Sequence, residues 1–259
     1  MHKLNILFAF IFLFTSQVMA GPIAIINGLS MTTEVDTTTS ITSQLSTLHQ
    51  NVGNSVSIFD LIPADLSLYD QVWDIRFSND YALDSTQQIN YLTYLQSGGG
   101  MFIMGENSSF AARNSSILSL INAAGGGSLA FSSVSSTQTV NAPFTGPNAV
   151  TSVTYNAPGG VNGYGTGSWI TNSGNIGTGI AWGTGDLTNA TAGVLTTIFD
   201  VNFMQTTADL SSQNLTKNLI GFIDTQVNPD PTSVPEPSTF AIFLLSIIGL
   251  ASRRFKIKD

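Results

Sequence analysis

The chain has 259 residues, with 16 acidic and 8 basic side chains, no cysteine, and a formal net charge of −8. The lack of cysteine excludes disulfides, thiolate metal sites and thiol nucleophiles. Every acidic residue except Asp259 lies between Gly21 and Thr239, where the only basic residues are Arg76, Arg113 and Lys217, so this body repels nucleic acid and anionic lipid surfaces. Aliphatic and aromatic residues are frequent enough to form a core, and the acidity reads as solubility.

At the start, Lys3 precedes a continuous apolar run from Ile6 to Phe14, and a small, polar segment closes on Val18-Met19-Ala20. This pattern predicts a secretory signal peptide over residues 1–20, cleaved between Ala20 and Gly21 after passage through the Sec translocon.

The next hundred residues alternate between strand and helix patterns. Pro22 to Asn27 reads as a buried strand, and Thr37 to Gln50 as a helix with Ile41, Leu45 and Leu48 on one face. Ser55 to Asp60 and Gln71 to Ile75 read as strands. Asp84-Ser85-Thr86 caps a second helix, with Ile89, Tyr91, Leu92 and Leu95 as its expected apolar face. Met101 to Met104 is a continuous apolar strand. A third helix begins at Ser108-Ser109, turns Ile117, Leu118, Leu120 and Ile121 inward, and stops at Gly125-Gly126-Gly127. Alternation of this kind implies an α/β fold with a mainly parallel sheet flanked by helices.

From about 128 to 182 the composition shifts to Gly, Ser, Thr and Asn. Val134, Val140, Val150, Val153 and Tyr155 are spaced like short antiparallel strands, punctuated by Pro143, Pro147 and Pro158. This reads as a β-rich insertion. The run Gly163 to Trp169 lacks the lysine of a phosphate loop and reads as a surface loop or hairpin with Tyr164 and Trp169 packed down. Stacking of Tyr164, Trp169 and Trp182 on a sugar ring is the functional alternative. No calcium-loop spacing is present, so no metal and no cofactor is expected. Val194 to Met204 reads as a late strand and Leu215 to Ile223 as a late helix. The exported domain thus covers residues 21–227, and Asn228 to Ser233 is a stiff, proline-containing linker.

The remaining stretch, residues 234–259, has three parts. Pro235-Glu236-Pro237 favours an extended peptide. Residues 240–251 are almost wholly apolar and are expected to span a membrane, although about 20 residues make a comfortable span. Arg253, Arg254, Lys256 and Lys258 can snorkel to the headgroups and hold this end on the cytoplasmic side.

Val234-Pro235-Glu236-Pro237-Ser238-Thr239, the apolar run and Arg253-Arg254 together resemble the PEP-CTERM sorting signal of Gram-negative bacteria. The resemblance implies recognition and removal of the tail by an exosortase, a membrane-embedded enzyme. It further implies an inner-membrane intermediate, and then a place at the cell surface or in the extracellular matrix, associated with exopolysaccharide or biofilm. The basic end departs from a pure arginine run, reading RRFKIK.

Within the body, the strand Gly100 to Met104 followed by Gly105-Glu106-Asn107-Ser108-Ser109 is similar to the elbow of the class I glutamine amidotransferase-like fold, a flavodoxin-like arrangement. The resemblance implies a nucleophile at that elbow. Glu106 stands where those enzymes have cysteine, and the only histidine of the body, His49, lies upstream on the first helix, where it reads as partly exposed. No catalytic residues are therefore expected. A carboxylate at a helix N-terminus is stabilised in its charged form, so Glu106 is expected to have a lowered pKa and to satisfy elbow amides. In open α/β sheets ligands bind beyond the carboxyl ends of strands. Arg76, Glu106 and Asn202 are the candidate ligand-edge residues there, with Asp74, Asp80 or Asp200 as possible partners of Glu106; Arg76 and Glu106 could equally form a plain salt bridge.

Two readings follow. One is a non-catalytic surface or matrix module. The alternative is a secreted, carboxylate-dependent hydrolase or carbohydrate-active enzyme with its site at the Glu106 edge.

Overall fold

The computed structural model describes residues 21–229. The expected signal peptide, linker residues 230–233 and the sorting tail with its apolar segment 240–251 lie outside the described residues. Among the described residues no helix is long and apolar enough to cross a membrane.

The chain order is β1 (Pro22–Ile26), α1 (Val35–Asn51), β2 (Ser55–Phe59), β3 (Gln71–Asp74), α2 (Ser85–Gln96), β4 (Gly100–Gly105) and α3 (Ala111–Ala124). Six short strands follow: β5 (Ala130–Ser132), β6 (Thr137–Val140), β7 (Ser152–Thr154), β8 (Gly160–Asn162), β9 (Ser168–Ser173) and β10 (Ile176–Trp182). The strand β11 (Val194–Phe199) and the helix α4 (Leu210–Val227) complete the order.

The strands form one 11-stranded sheet in the order β2-β1-β3-β4-β11-β10-β9-β6-β7, with β5 and β8 branching from β10. From β2 to β11 all neighbours are parallel. This half has the doubly wound order in which the chain reverses direction between β1 and β3. Beyond β11 every pairing is antiparallel. The expected β-rich insertion supplies these antiparallel strands. Its strands continue the parallel sheet, because β10 hydrogen-bonds along the free edge of β11.

Side-chain alternation divides the core in two. On one face Ile23, Ile25, Trp73, Phe102 and Met104 pack against Ile41 and Leu45 of α1 and Leu215, Leu219 and Ile223 of α4. On the other, Ala24, Ile26, Val72, Met101 and Ile103 meet Tyr91 and Leu95 of α2 and Ile117, Leu120 and Ile121 of α3. Each fully buried aliphatic side chain contributes about 1.5–3 kcal/mol.

Helix ends follow their sequence signals. Asp84 accepts from the Gln87 amide at 2.8 Å and the Gln87 side chain reaches back, a reciprocal cap for α2. Gly125 ends α3 in the left-handed region at φ 86°. The face of α2 differs from expectation. Tyr91, Tyr94 and Leu95 point inward, while Ile89 is 62% exposed. The rotation lets both tyrosine hydroxyls reach buried acceptors: Tyr91 donates to Asp74, and Tyr94 to the Tyr69 and Gly100 carbonyls.

His49 is another correction: it is fully buried. Its ring stands edge-on to Trp73 with centroids 5.0 Å apart, and Nδ1 accepts from the Asn54 amide at 3.1 Å. The ring proton is then on Nε2, which meets no acceptor among the described residues. Burial pushes the His49 pKa down to about 4.

Candidate functional site

The carboxyl ends of β1, β3, β4 and β11 form one edge of the parallel half, and each end carries a polar group. At the reversal point between β1 and β3 the ligand crevice of an open α/β sheet is expected. Tyr81, from a one-turn helix over Asn79–Tyr81, fills it and donates its hydroxyl to the Gly28 carbonyl. Gly28 has φ +65°, and a Cβ there would lie 2.5 Å from the Tyr81 ring, so this contact depends on glycine.

Beyond β3, Asp74 is the hub of a buried cluster. It accepts from Arg76 Nε at 2.8 Å and Nη2 at 2.7 Å, from the Tyr91 hydroxyl at 2.8 Å, and pairs with Arg113 Nη2 at 3.1 Å. Arg113 also donates to the carbonyls of Met104 at 3.2 Å and Tyr81 at 2.9 Å. Burial alone would raise the Asp74 pKa, but the two guanidiniums hold it well below the usual carboxylate range. Burial and the adjacent Asp74 charge push the Tyr91 phenol well up. Arg76 is thus a core residue at 2% exposure, paired with Asp74 and not with Glu106.

Beyond β4, the elbow is held by Asn114 of α3. Its amide accepts from Glu106 N at 3.0 Å and donates to the carbonyls of Glu106 at 2.7 Å and Asn107 at 2.9 Å. Gly105 permits this approach, since a Cβ there would lie 2.2 Å from Phe199 and 3.1 Å from Asn114 Oδ1. The Glu106 side chain turns away from α3. Oε1 accepts from the Asn107 amide at 2.8 Å and its side chain at 3.0 Å, and Oε2 accepts from Val201 N at 2.7 Å.

The pKa expectation for Glu106 is corrected. Burial, with the nearby Asp200 charge adding to it, pushes it up to about 7, against the pull of the Asn107 and Val201 amides. The helix α3 begins only at Ala111, so its N-terminal field does not dominate at Glu106.

Beyond β11, Asp200 is fully buried. Oδ2 accepts from the amides of Asn156 at 3.0 Å and Ala157 at 3.2 Å, and Oδ1 from those of Asn202 at 2.8 Å and Phe203 at 3.3 Å. Burial raises its pKa despite these bonds. Asp80 stands apart, exposed and bonded to Ser78.

The structure therefore brings Glu106 and Asp200 onto the same turn, Asp200 to Phe203, and places Arg76 in a different cluster. Asn202 alone of the three candidates is half-exposed. It lines a small hollow of about 120 Å³ with Tyr155, Asn156 and Asp209. Among the described residues no group of three or more acidic or histidine side chains is placed to hold a metal ion. The aromatic alternative narrows as well. Trp182 is fully buried and donates to the Gly126 carbonyl at 3.1 Å, while Tyr164 is 45% exposed, edge-on to a half-buried Trp169 with centroids 5.5 Å apart.

Tyr91, Arg113 and Asn114 organise this edge, and none of the three is among the site residues expected from the sequence. A signal was present for Arg113. It lies four residues before Ile117 on the inward face of α3, an unusual place for one of the body's few basic residues.

Residues 233–254 match the family model described as the PEP-CTERM protein-sorting motif. The motif implies an exported protein sorted by exosortase through a membrane-anchored intermediate. No curated protein matches the chain. Among solved structures, the chain is similar to the mmIFT52 N-terminal domain at 12% identity and TM-score 0.54, over 78% of this chain and 97% of that one. It is likewise similar to a ThuA-like protein from Bacteroides uniformis at 12% identity and TM-score 0.50, over 78% of this chain and 89% of that one. At such identities the likeness concerns the fold alone.

Proposed function

We propose that the body is a non-catalytic module, delivered by its tail to the cell surface or extracellular matrix of a Gram-negative bacterium and associated there with exopolysaccharide or biofilm. In this reading the body keeps an amidotransferase-like elbow without its chemistry. One observation carries the proposal: the charged groups at the carboxyl edge are engaged in holding the fold. Asp74 is surrounded by Arg76, Arg113 and Tyr91. Glu106 and Asp200 each accept backbone amides from the turns beyond β11 and β4 or from the Asn156 segment. A general acid or nucleophile needs an approach for substrate and a partner within hydrogen-bond reach. Glu106 is 3% exposed, which leaves little approach for a substrate, and its hydrogen bonds run to the Asn107 amide and side chain and the Val201 amide.

The raised pKa of Glu106 beside Asp200 is the feature that a carboxylate-dependent hydrolase would share. Its burial and its amide bonds favour the structural role. Glycan hydrolysis that disappears in Glu106→Gln while the fold is retained would reverse this preference.

The processing step has its own test. Replacing Pro235, Glu236 and Pro237 by alanine should leave full-length precursor in the inner membrane, measured by intact mass after fractionation. Unchanged maturation of that variant would overturn the sorting role of the motif.

A further inference from the structure

The strand β2 is the free edge of the parallel half and pairs with β1 alone. The Asn27 amide donates to the Phe59 carbonyl at 2.9 Å, so Ser55, Ser57 and Phe59 turn their backbone groups toward β1. Val56 and Ile58 turn theirs outward, where they meet no partner among the described residues. Exposed edges are ordinarily blunted by lysine, proline or a bulge, and Ser55 to Phe59 has none of the three. The Val56 and Ile58 side chains lie on the α1 side of the sheet, level with Ile23 and Ile25 of β1. Ile58 is 51% exposed and borders an open groove of about 420 Å³, shared with Leu29 and with Thr39, Ser43 and Ser46 of α1.

We propose that β2 pairs antiparallel with β2 of a second copy of this chain, about a two-fold axis at Ser57, so that two sheets become one. The inference is independent of the sorting reading and uses no residue of the tail.

The backbone is self-complementary in this register. Val56 of each copy faces Ile58 of the other, and the outward N–H and C=O groups of both residues close four hydrogen bonds. Setting Val56 on Val56, or Ile58 on Ile58, keeps only two of them within the strand. Asp60 does not lengthen the ladder, because it lies in the bend after β2 and accepts from the Ser30 amide at 2.7 Å. On the α1 side each exposed Ile58 is covered by Val56 of the other copy, a β-branched pair of the kind that stabilises sheets.

Charge selects the same surface. Two copies of an acidic body repel one another except where they meet through uncharged residues. No Asp, Glu, Lys or Arg occurs in β2 or in α1 from Thr37 to Asn51. The two Asp60 residues would stand six positions apart along the paired strands, about 20 Å, which is twice the screening length at ordinary ionic strength. Four hydrogen bonds, at about one per 100–200 Å², correspond to about 400–800 Å² of buried surface. That is below the roughly 1,200 Å² of stable complexes, so the dimer is weak and reversible.

The chain has no cysteine, so a single introduced thiol reports one contact. In the register proposed, the two Ser57 Cα atoms form a non-hydrogen-bonded pair about 4.5 Å apart, within disulfide range. The two Ser55 residues stand four positions apart, about 14 Å, which is beyond it. Both positions are exposed. With the full chain in excess detergent and copper phenanthroline as oxidant, Ser57→Cys should form a covalent dimer about tenfold faster than Ser55→Cys. Equal rates, or no covalent dimer from Ser57→Cys, would overturn the register. In sedimentation the parent should gain mass with concentration up to about 500 µM and level off at two copies. Ser57→Lys, which sets two like charges face to face at the axis, should remain a monomer. A parent that stays monomeric, a mass that climbs past two copies, or a Ser57→Lys chain that pairs like the parent would each overturn the two-fold edge.

Discussion

Glu106 and Val201, 95 residues apart in sequence, are joined by a hydrogen bond of 2.7 Å from the Val201 amide to Oε2. The bond ties the elbow after β4 to the turn after β11, where neighbouring parallel strands end together. Glu106→Ala leaves the Val201 and Asn107 amides without acceptors inside the protein. The expected loss is about 2–3 kcal/mol, measured by urea denaturation, with Glu106→Gln losing less because one amide keeps its acceptor.

The same carboxyl sets one limb of the pH dependence. Its pKa in the folded state, about 7, is raised above the ordinary 4.5. Its contribution is fully present below 4.5 and is lost as pH rises through 7. Glu106→Gln should therefore flatten the decline in melting temperature between pH 5 and pH 8. A decline of unchanged slope would show that other groups produce it.

His49 acts in the opposite sense across nearly the same window. Its folded pKa, about 4, lies below the ordinary 6.5. The protein then binds fewer protons than the unfolded chain, so stability is fully present above 6.5 and falls as pH drops toward 4. His49→Phe should keep the packing against Trp73 and raise the melting temperature at pH 5 relative to pH 7.5. If the ratio of stabilities at the two pH values matches the parent, burial of a neutral ring is not the cause.

Among the described residues Asp74 is the sole counter-ion of two buried guanidiniums. Asp74→Asn leaves both charges uncompensated and should cost about 3–5 kcal/mol. Replacing one arginine, in Arg76→Met, should cost less, since Arg113 still pairs with Asp74. Equal losses for the two variants, read by denaturant melts, would argue that packing and not charge dominates this cluster.

Much of the first half was legible because its signals are local. Ile23 to Ile26 and Met101 to Met104 are apolar runs of strand length, and the Asp84 cap and the Gly125 stop each act within one helical turn. The inward face of α2 was misread because Ile89 outranks Tyr94 in hydrophobicity alone. What rotates the helix is a hydroxyl partner 17 residues away in sequence, Asp74. The candidate edge was legible as a location but not as chemistry. Arg76 pairs two residues back, while Glu106 pairs with the next residue and with the turn after β11.

By itself the sequence determined the export logic of this protein and the alternating α/β pattern of its first half, because a linear peptide signal and local periodicity both act through neighbouring residues. It also set the absence of thiol chemistry and the acidic balance of the body. Only the tertiary structure decided that the Gly- and Ser-rich segment extends the same sheet, that His49 and Arg113 are buried, and that Glu106 has a raised pKa. Those outcomes depend on desolvation and on partners brought together from distant parts of the chain, and neither is encoded in the spacing of adjacent residues.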